Sequence, residues 1–464
     1  YNFGGFFSTL NFSNTLLLSK SMKDLMTLIF NRKTISAQLL ADIVSVSKAT
    51  LLNWERTGKL TSVQNPITNA KEYEISQLIH FEEVRNMIGT NWNQEFNVQA
   101  LRNYSSIELF AGAGGLALGL EKAGFSAVAL NEVDKDACDT LRSNRPYWNV
   151  IQNDVKNVDF TRFADIDLIA GGFPCQAFSY AGEKLGFEDT RGTLFFEFSR
   201  AIKEVMPKVF LGENVRGLLN HDNGKTLSVI TSVISDLGYT LIEPRVLKAL
   251  FYRVPQKRER LFLVGIRNDL VKFAKFKWPS PYHRILVLKD ALKAGELYDT
   301  DVPKSEGQSY PKRKKEILSY VPQGGYWRDL PNDLQREYMQ GSYFLGGGKT
   351  GMARRLSWDE PSLTLTCSPA QKQTERCHPE ETRPLTIREY ARVQTFPDEW
   401  QFLGSISSQY KQIGNAVPVN LAHAVGRSVV TLLNSIEEKV DQTGDSLISS
   451  NELSQPKQLS LLNI

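Results

Sequence analysis

Short apolar runs alternate with helical stretches between about residues 105 and 267, and this is the strongest pattern in the chain. The apolar runs cover 107–110, 127–130, 167–170, 209–211 and 261–265. The helical candidates cover 116–123, 194–205 and 226–237. Strands that alternate with helices pair in parallel, and the crossover helices cover both faces of the sheet. The pattern therefore predicts an α/β fold with a doubly wound, mostly parallel sheet.

A small helical unit is predicted ahead of this region. Apolar residues recur at helical spacing over 35–43, Ser47 can cap a second helix that Gly58 ends, and a third helix is predicted over 75–84. Helix, short turn and helix is the outline of a DNA-binding helix-turn-helix. The segment "VSKATLLNWERTGKL" resembles that of MerR and excisionase proteins. A helical packing or dimerisation domain is the alternative, and in either case we expect the unit to be accessory to catalysis.

The rest of the chain divides by composition. After about residue 270, Gly, Pro and polar loops become frequent, and helical pattern returns only near 386. Residues 1–21 carry one charge and no periodicity, which is typical of a leader that is disordered or not native. The predicted division is a leader (1–25), a helix-turn-helix-like domain (26–100), the main α/β domain (101–270), a smaller irregular domain (271–385), a return to the main domain (386–435) and a polar tail (436–464).

Composition narrows the class of protein. With 464 residues, 41% of them hydrophobic, the chain is a folded protein of two or three domains. Its net charge of +4 permits a polyanionic partner. Four cysteines without a CxxC pair indicate free thiols in a reducing compartment, and Cys367, Cys377 and His378 fit no common zinc spacing. We expect a cytoplasmic protein without a metal, because no secretion signal or membrane-long apolar run occurs.

The first candidate site follows the first strand, in "IELFAGAGGLALGLEKAG". Gly112, Gly114 and Gly115 let backbone approach a ligand closely. Glu132 lies about 20 residues further on, where an acidic side chain can bind ribose hydroxyls, and Asp154 could accept a hydrogen bond from an adenine amine. The spacing differs from GxGxxG, and glycine turns also serve packing.

The second candidate site is "GGFPCQAFS", which places Cys175 at the carboxyl end of a strand. Open α/β sheets bind their ligands at that edge. Pro174 fixes the backbone before the thiol, and Gly171 and Gly172 leave room for a flat substrate. A thiolate in such a place is a candidate nucleophile. An inert buried cysteine is the alternative.

Two further segments end strands with polar residues. In "VFLGENVRGLL", the carboxyl of Glu213 can serve as a general acid if burial raises its pKa, and Asn214 follows it. The alternative is a helix-capping pair on a surface loop. In "QKRERLFLVGI", Arg258 and Arg260 alternate with period two and are expected to face the same way. Such arginines can bind phosphate, a carboxylate or a base carbonyl.

These four segments, in this order, resemble those of the C5 cytosine methyltransferase family. "RPLTIREYARVQTFPDEW" and "YKQIGNAVPVNLA" look like the late motifs of that family, so the resemblance covers about residues 105–430. It implies a Rossmann-like fold, S-adenosylmethionine as cofactor and no metal. The residues that would bind the cofactor are Phe110, Gly112, Gly114, Gly115, Glu132, Asp154, Leu194 and Asn415.

The resemblance also implies catalytic roles. Cys175 would attack the pyrimidine, and Glu213 would hold the base at its N3 and amino edge. Arg260 would reach the base carbonyl and pair with Glu213, with Arg258 in support and Asn214 beside them. The cytosine would flip out of the duplex to reach the thiol. Gln176 and Ser179 would touch the DNA backbone or help displace the target base. The irregular segment 271–385 is the expected target-recognition segment, in which Thr364 and Arg376 are available to read base edges.

The implied partner is double-stranded DNA, in the setting of a bacterial restriction endonuclease, with a monomeric catalytic core. An RNA cytosine methyltransferase with the same core is an alternative, although the long recognition segment favours DNA. A DNA-binding regulator is a second class, in which the N-terminal unit would bind the promoter of its own gene as an activity beside catalysis. A pure binding module would not need Cys175, Glu213 and Arg260 together. An oxidoreductase is disfavoured by the glycine spacing.

Overall fold

The N-terminal unit mixes strands with helices. The computed structural model describes residues 33–66, 70–174, 194–347 and 349–443. The elements of this unit are β1 (Thr34–Ser36), α1 (Ala37–Ile43), α2 (Lys48–Arg56), β2 (Ser62–Gln64), β3 (Lys71–Glu74), a 3₁₀ helix (Ile75–His80), α3 (Glu82–Ile88) and α4 (Trp92–Phe96). The expectation of a purely helical unit was wrong, because β1, β3 and β2 form an antiparallel sheet. Strands of three or four residues are too short to show a period of two.

The predicted pair of helices is present as α1 and α2, joined by a short turn. Ser47 caps α2, since its hydroxyl accepts a hydrogen bond of 3.0 Å from the backbone N–H of Thr50. Gly58 follows the helix with a φ of +74°. Ser45 lies in the turn with a φ of +58°, the left-handed region that few residues other than glycine adopt.

The main domain is built on one sheet of eight strands. Its elements are β4 (Tyr104–Leu109), α5 (Gly115–Ala123), β5 (Phe125–Glu132), α6 (Lys135–Asn144), β6 (Val150–Gln152), β7 (Leu168–Gly172), α7 (Leu194–Val205), β8 (Val209–Val215), α8 (Lys225–Asp236), β9 (Tyr239–Leu241), β10 (Arg245–Lys248), β11 (Gln256–Lys257) and β12 (Glu259–Arg267). The strand order is β10-β12-β8-β7-β4-β5-β6, and β9 pairs with β12. Strands β4 to β8 are parallel and β12 is antiparallel to β8, which confirms the mostly parallel sheet.

Helices cover both faces of this sheet. One face packs against α5 and the long C-terminal helix (Val419–Thr443), and the other packs against α7 and α8. The strand order reverses between β4 and β7, because the chain runs outward to β6 and then returns to β7 on the other side of β4. Open α/β sheets bind ligands at such a point, beyond the carboxyl ends of the strands.

The smaller domain has few regular elements but a core of its own. Its elements are α9 (Leu288–Leu292), α10 (Lys312–Leu318), α11 (Asn332–Met339) and β13 (Ser362–Leu363). Trp327, Tyr338 and Met339 are buried in a separate apolar cluster. By contrast, α9 packs with the main domain. The strand β13 pairs in parallel with β11, so the smaller domain is also joined to the main domain by backbone hydrogen bonds.

The chain returns to the main domain through α12 (Ile387–Val393), α13 (Ile406–Asn415) and α14 (Val419–Thr443). The last helix continues past the predicted start of the polar tail at 436, and that boundary was wrong. Ile436 is fully buried and Glu437 pairs with Lys208 at 2.6 Å, so packing extends the helix. The stretch that holds α13 and α14 is apolar enough to cross a membrane, but 83% of its apolar window is buried inside the protein.

Candidate active site

A cavity of about 520 Å³ opens at the carboxyl edge of the sheet, where the strand order reverses. Its walls come from the ends of β4, β5, β7 and β8 and from the end of α13. This volume lies in the range of small-molecule sites. Of the cofactor residues predicted from the sequence, those that line the cavity are Phe110, Gly112, Gly115, Glu132 and Asn415.

The glycine turn after β4 shapes one wall. Gly114 caps α5 with a φ of +84°, a conformation that side chains disfavour. A Cβ at Gly114 would lie 2.7 Å from Leu141, and one at Gly115 would lie 2.3 Å from the carbonyl oxygen of Val417. These glycines therefore permit close packing of helix and returning chain as well as a tight turn.

Backbone N–H groups fix Glu132 at the end of β5. Its Oε2 accepts from Gly112 at 2.8 Å, and its Oε1 accepts from Val133 and Asp134, each at 2.8 Å. An ionised carboxylate has about four acceptor positions, so one remains for a ligand hydroxyl. The carboxylate is thereby held at the cavity wall.

Three predicted cofactor residues lie apart from the cavity lining. Gly114 caps α5, and a side chain there would meet Leu141. Asp154 is exposed, and its carboxylate caps a 3₁₀ turn by accepting from the N–H of Lys156 at 3.0 Å. Leu194 is half-buried at the start of α7 and packs against the apolar cluster on that face of the sheet.

Glu108 is a buried acid in the cavity wall that the sequence reasoning missed. Its side chain on β4 is 4% exposed, and its Oε2 has no hydrogen-bond partner among the described residues. Burial raises the pKa of Glu108 well above its ordinary value, and the charges of Glu132 and Glu213 raise it further. The signal was an acidic residue inside the apolar run "IELF".

Glu213 and Arg260 form an ion pair at the same edge. Glu213 Oε1 lies 2.6 Å from Arg260 Nε, and both side chains are mostly buried. Burial raises the pKa of Glu213 above its ordinary value, while the positive charge of Arg260 lowers it. A Cβ at Gly172 would lie 2.8 Å from Glu213 Oε2, so a glycine on β7 leaves the space that this carboxylate occupies.

Asn214 ties β8 to the segment that leads to Cys175. Its Nδ2 donates to the carbonyl oxygen of Phe173 at 2.7 Å, and its Oδ1 accepts from the N–H of Val215 at 2.8 Å. Both bonds are within the cavity wall. Cys175 itself, with Gln176 and Ser179, lies outside the described residues, so its predicted role stays a prediction.

Arg258 and Arg260 have different partners. Arg258 precedes β12 and is 1% exposed. Its guanidinium donates to the carbonyl oxygens of Leu365 at 3.1 Å and Gly414 at 2.9 Å, and more weakly to that of Asn415. Arg258 thus joins the sheet to the smaller domain and to the returning chain.

The two predicted base-reading residues differ in exposure. Thr364 is half-buried and its hydroxyl donates to the carbonyl oxygen of Lys257 at 2.7 Å. Arg376 is 5% exposed and donates to the carbonyl oxygens of Thr364 at 3.1 Å and Glu375 at 2.7 Å. In this arrangement Arg376 holds the backbone of the smaller domain and does not present its guanidinium to a groove.

The described cysteines are free thiols. Cys138 and Cys377 are buried, while Cys367 is exposed and donates to Asn415 Oδ1 at 3.1 Å. Within the described ranges, no three His, Cys, Asp or Glu side chains group as metal ligands.

Comparison with known proteins assigns the chain to a family. Residues 104–431 match the family described as C-5 cytosine-specific DNA methylase. Type II methyltransferase M.Eco47II of Escherichia coli is 66% identical over 409 residues, covering 88% of this chain and 98% of that protein. Type II methyltransferase M.Sau96I of Staphylococcus aureus is 49% identical over 402 residues, covering 85% of this chain and 87% of that protein.

A solved structure shows the same fold. It is a DNA modification methyltransferase encoded within an E. coli prophage, with a TM-score of 0.56 at 24% identity, covering 72% of this chain and 100% of that chain. The family match extends over more than half of the present chain and includes every strand of the central sheet. The chain therefore belongs to the C-5 cytosine-specific DNA methylase family and is a DNA cytosine-5 methyltransferase.

Proposed function

We propose that this enzyme methylates C5 of a cytosine flipped out of a specific short sequence in duplex DNA, with Cys175 as the nucleophile. The observation that carries the proposal is the buried Glu213–Arg260 pair at the cavity edge, next to the segment that leads to Cys175. A stacked base cannot reach a group in such a cavity, so the target must leave the duplex.

The pair suits the Watson–Crick edge of cytosine. A protonated Glu213 can donate to N3 and accept from the exocyclic amine, and Arg260 can donate to the O2 carbonyl. The raised pKa of Glu213 favours the protonated form that this pattern needs. Thymine and uracil present a donor at N3 and an acceptor at C4, so they mismatch both contacts.

Cys175, the proposed nucleophile, follows Phe173 by two residues in the sequence. Asn214 donates a hydrogen bond to the carbonyl oxygen of Phe173. The thiolate of Cys175 forms a bond to C6, and the electrons displaced from the C5–C6 double bond make C5 nucleophilic. Glu213 stabilises the electron density that this addition places on N3 of the ring. After C5 has gained the methyl group, a base removes the C5 proton, the double bond re-forms and the thiolate leaves.

The cavity fits S-adenosylmethionine. When bound, this cofactor supplies an electrophilic methyl group on a sulfonium. Glu132 keeps one acceptor position for a ribose hydroxyl, and the glycine turn gives backbone access. The unpartnered oxygen of Glu108 supplies a further polar group for a ligand in the same wall. Phe110, Gly112 and Asn415 would complete the binding site.

The setting is inferred from the relatives. Proteins named Type II methyltransferases cover most of this chain at 49% to 66% identity. We infer that the enzyme protects host DNA in the bacterial cytoplasm from a cognate restriction endonuclease, and that its catalytic core acts as a monomer.

The test is methyl transfer from labelled S-adenosylmethionine to unmethylated duplex DNA, followed by bisulfite sequencing. Protected cytosines confined to one short repeated sequence are expected, and they would supply the recognition site. A folded protein that binds the cofactor but labels only structured RNA would overturn the DNA proposal.

A further inference from the structure

A second groove, of about 540 Å³, lies between the N-terminal unit and the main domain. Its lining includes Ser45 and Val46 from the turn between α1 and α2, and Arg216 and Lys248 from the main domain. We propose that this turn is one wall of the DNA cleft and that the groove holds backbone phosphates of the strand beside the target cytosine. The inference rests on the proposed function and adds a site to it.

The groove is continuous with the active site. Val215 and Arg260 line both the groove and the cavity that holds Glu213. Thr364 of the smaller domain reaches the groove from the other side. A strand whose cytosine enters the cavity must continue on both sides of that base. The groove that shares Arg260 with the cavity is therefore placed to take the adjoining backbone.

Polar contacts fix the N-terminal unit at this edge. Lys248 Nζ donates to the carbonyl oxygens of Asp42 at 2.5 Å and Ile43 at 2.9 Å, at the end of α1. A cation there is favourable, because the last carbonyls of a helix lack partners. Lys257, with a mostly buried side chain, pairs with Asp42 at 2.9 Å and with Glu360 at 3.0 Å.

Apolar contacts also join the N-terminal unit to the main domain. Leu250 of the main domain and Ile285, which lies just ahead of α9, are buried within the apolar core of the N-terminal unit. Trp92 of α4 is buried in the core of the main domain. The unit therefore packs directly against the main domain, and the proposed cleft would give it a part in DNA binding. Deletion of the unit would uncover these side chains, so point substitutions are the proper test.

The charge of the groove suits a polyanion. Its lining holds five cationic side chains, Arg216, Lys248, Lys257, Arg258 and Arg260, against two acidic ones, Asp42 and Glu259. Carboxylates pair with three of the five cations. The hydrogen bonds of Lys248 and Arg258 go to backbone carbonyls, which do not neutralise a positive charge, while burial lowers the pKa of both side chains. Cationic clefts of this kind attract nucleic-acid phosphates.

Ser45 provides the sharpest test, because it is exposed in the groove and has no part in the catalytic pair. Ser45→Lys and Ser45→Glu impose the same strain at a φ of +58° but opposite charges. Dissociation constants for duplex DNA that contains the methylated sequence are measured with the full chain at several salt concentrations. Each phosphate contact changes the slope of log K against log[salt] by about 0.9.

We expect Ser45→Glu to weaken binding about 5-fold or more and to flatten the salt slope, and Ser45→Lys to do the reverse. Ser235→Glu and Ser235→Lys, at an exposed serine on α8, are the matched controls and should bind as the wild type does. Thermal melts establish that each variant is folded.

Two outcomes would overturn the inference. One is equal affinity and slope for both Ser45 variants while the wild type methylates DNA, which leaves the proposed function intact. The other is a change in affinity that occurs only with DNA that lacks the methylated sequence. That result would mean that the N-terminal unit recognises a different DNA sequence. A wild type that fails to methylate duplex DNA would instead contradict the proposed function.

Discussion

Arg260 and Glu213 are diagonal neighbours on adjacent antiparallel strands, with 2.6 Å between Arg260 Nε and Glu213 Oε1. Burial favours the neutral form of this carboxyl group, and the guanidinium favours the charged form. The balance leaves the pKa of Glu213 above its ordinary value. A raised pKa favours the protonated carboxyl group that the proposed contact with cytosine N3 requires.

The first prediction concerns the pH dependence of this pair. Arg260→Met removes the charge that lowers the pKa of Glu213, so the protonated form should persist to higher pH. We expect the alkaline limb of the single-turnover rate to move upward in pH, and the rate to fall about 100-fold because the O2 contact is lost. Arg142→Met, at an arginine on α6 with a 43% exposed side chain, is the control. An unshifted alkaline limb would remove Glu213 as the titrating group.

The second prediction concerns Asn214 as a positioning residue. Asn214→Asp keeps the shape but replaces the donor to Phe173 by an acceptor, so it should displace the segment before Cys175. We expect single-turnover methyl transfer to slow 10- to 100-fold while the cofactor dissociation constant stays within about 2-fold.

Asn434→Asp is the matched control for this change. Its amide also donates to a backbone carbonyl, that of Gln99 at 2.8 Å, but at the amino end of β4. If both variants slow the reaction equally, the effect of Asn214 is general destabilisation. If neither does, Asn214 does not position the nucleophile.

The mostly parallel sheet and the edge that carries the site were predictable, because each depends on local pattern. Apolar runs marked β4, β5, β7, β8 and β12, and polar residues marked their carboxyl ends. Glu132 and Glu213 lie at one edge because the carboxyl ends of parallel strands meet there, and Arg260 reaches that edge from the start of the antiparallel strand β12.

Burial and partners across the chain could not be predicted. Arg376 looked like a base reader, but its guanidinium holds Thr364 of its own domain. Arg258 binds carbonyls more than 100 residues away. The docking of the N-terminal unit depends on Lys248 and Lys257, which belong to no local motif. Contacts of this kind leave no periodic trace in a sequence.

The third prediction concerns stability and Glu108. Its folded-state pKa is raised, so the native protein keeps a proton that the unfolded chain releases above about pH 4.3. Folding stability is therefore lost as pH rises from there toward the folded-state pKa, by at most about 1.4 kcal/mol per pH unit. Glu108→Gln, which resembles the neutral acid, should lose this slope and be the more stable form at pH 8.

Urea unfolding of the cofactor-free protein at pH 5, 6, 7 and 8 measures the slope. Parallel profiles for the variant and the wild type would mean that Glu108 is ionised in the folded protein.

The most direct measurement is covalent capture of Cys175. Long duplex DNA of mixed sequence is synthesised with 5-fluorocytosine in place of cytosine, so that every target cytosine in it carries fluorine, and fluorine cannot leave C5 as a cation. The adduct should therefore persist after methyl transfer. With S-adenosylmethionine present, we predict a DNA-linked wild-type protein whose cross-linked peptide maps to Cys175, and a Cys175→Ser variant that binds DNA without forming the link. An adduct at another residue, or undiminished methyl transfer by Cys175→Ser, would contradict the account.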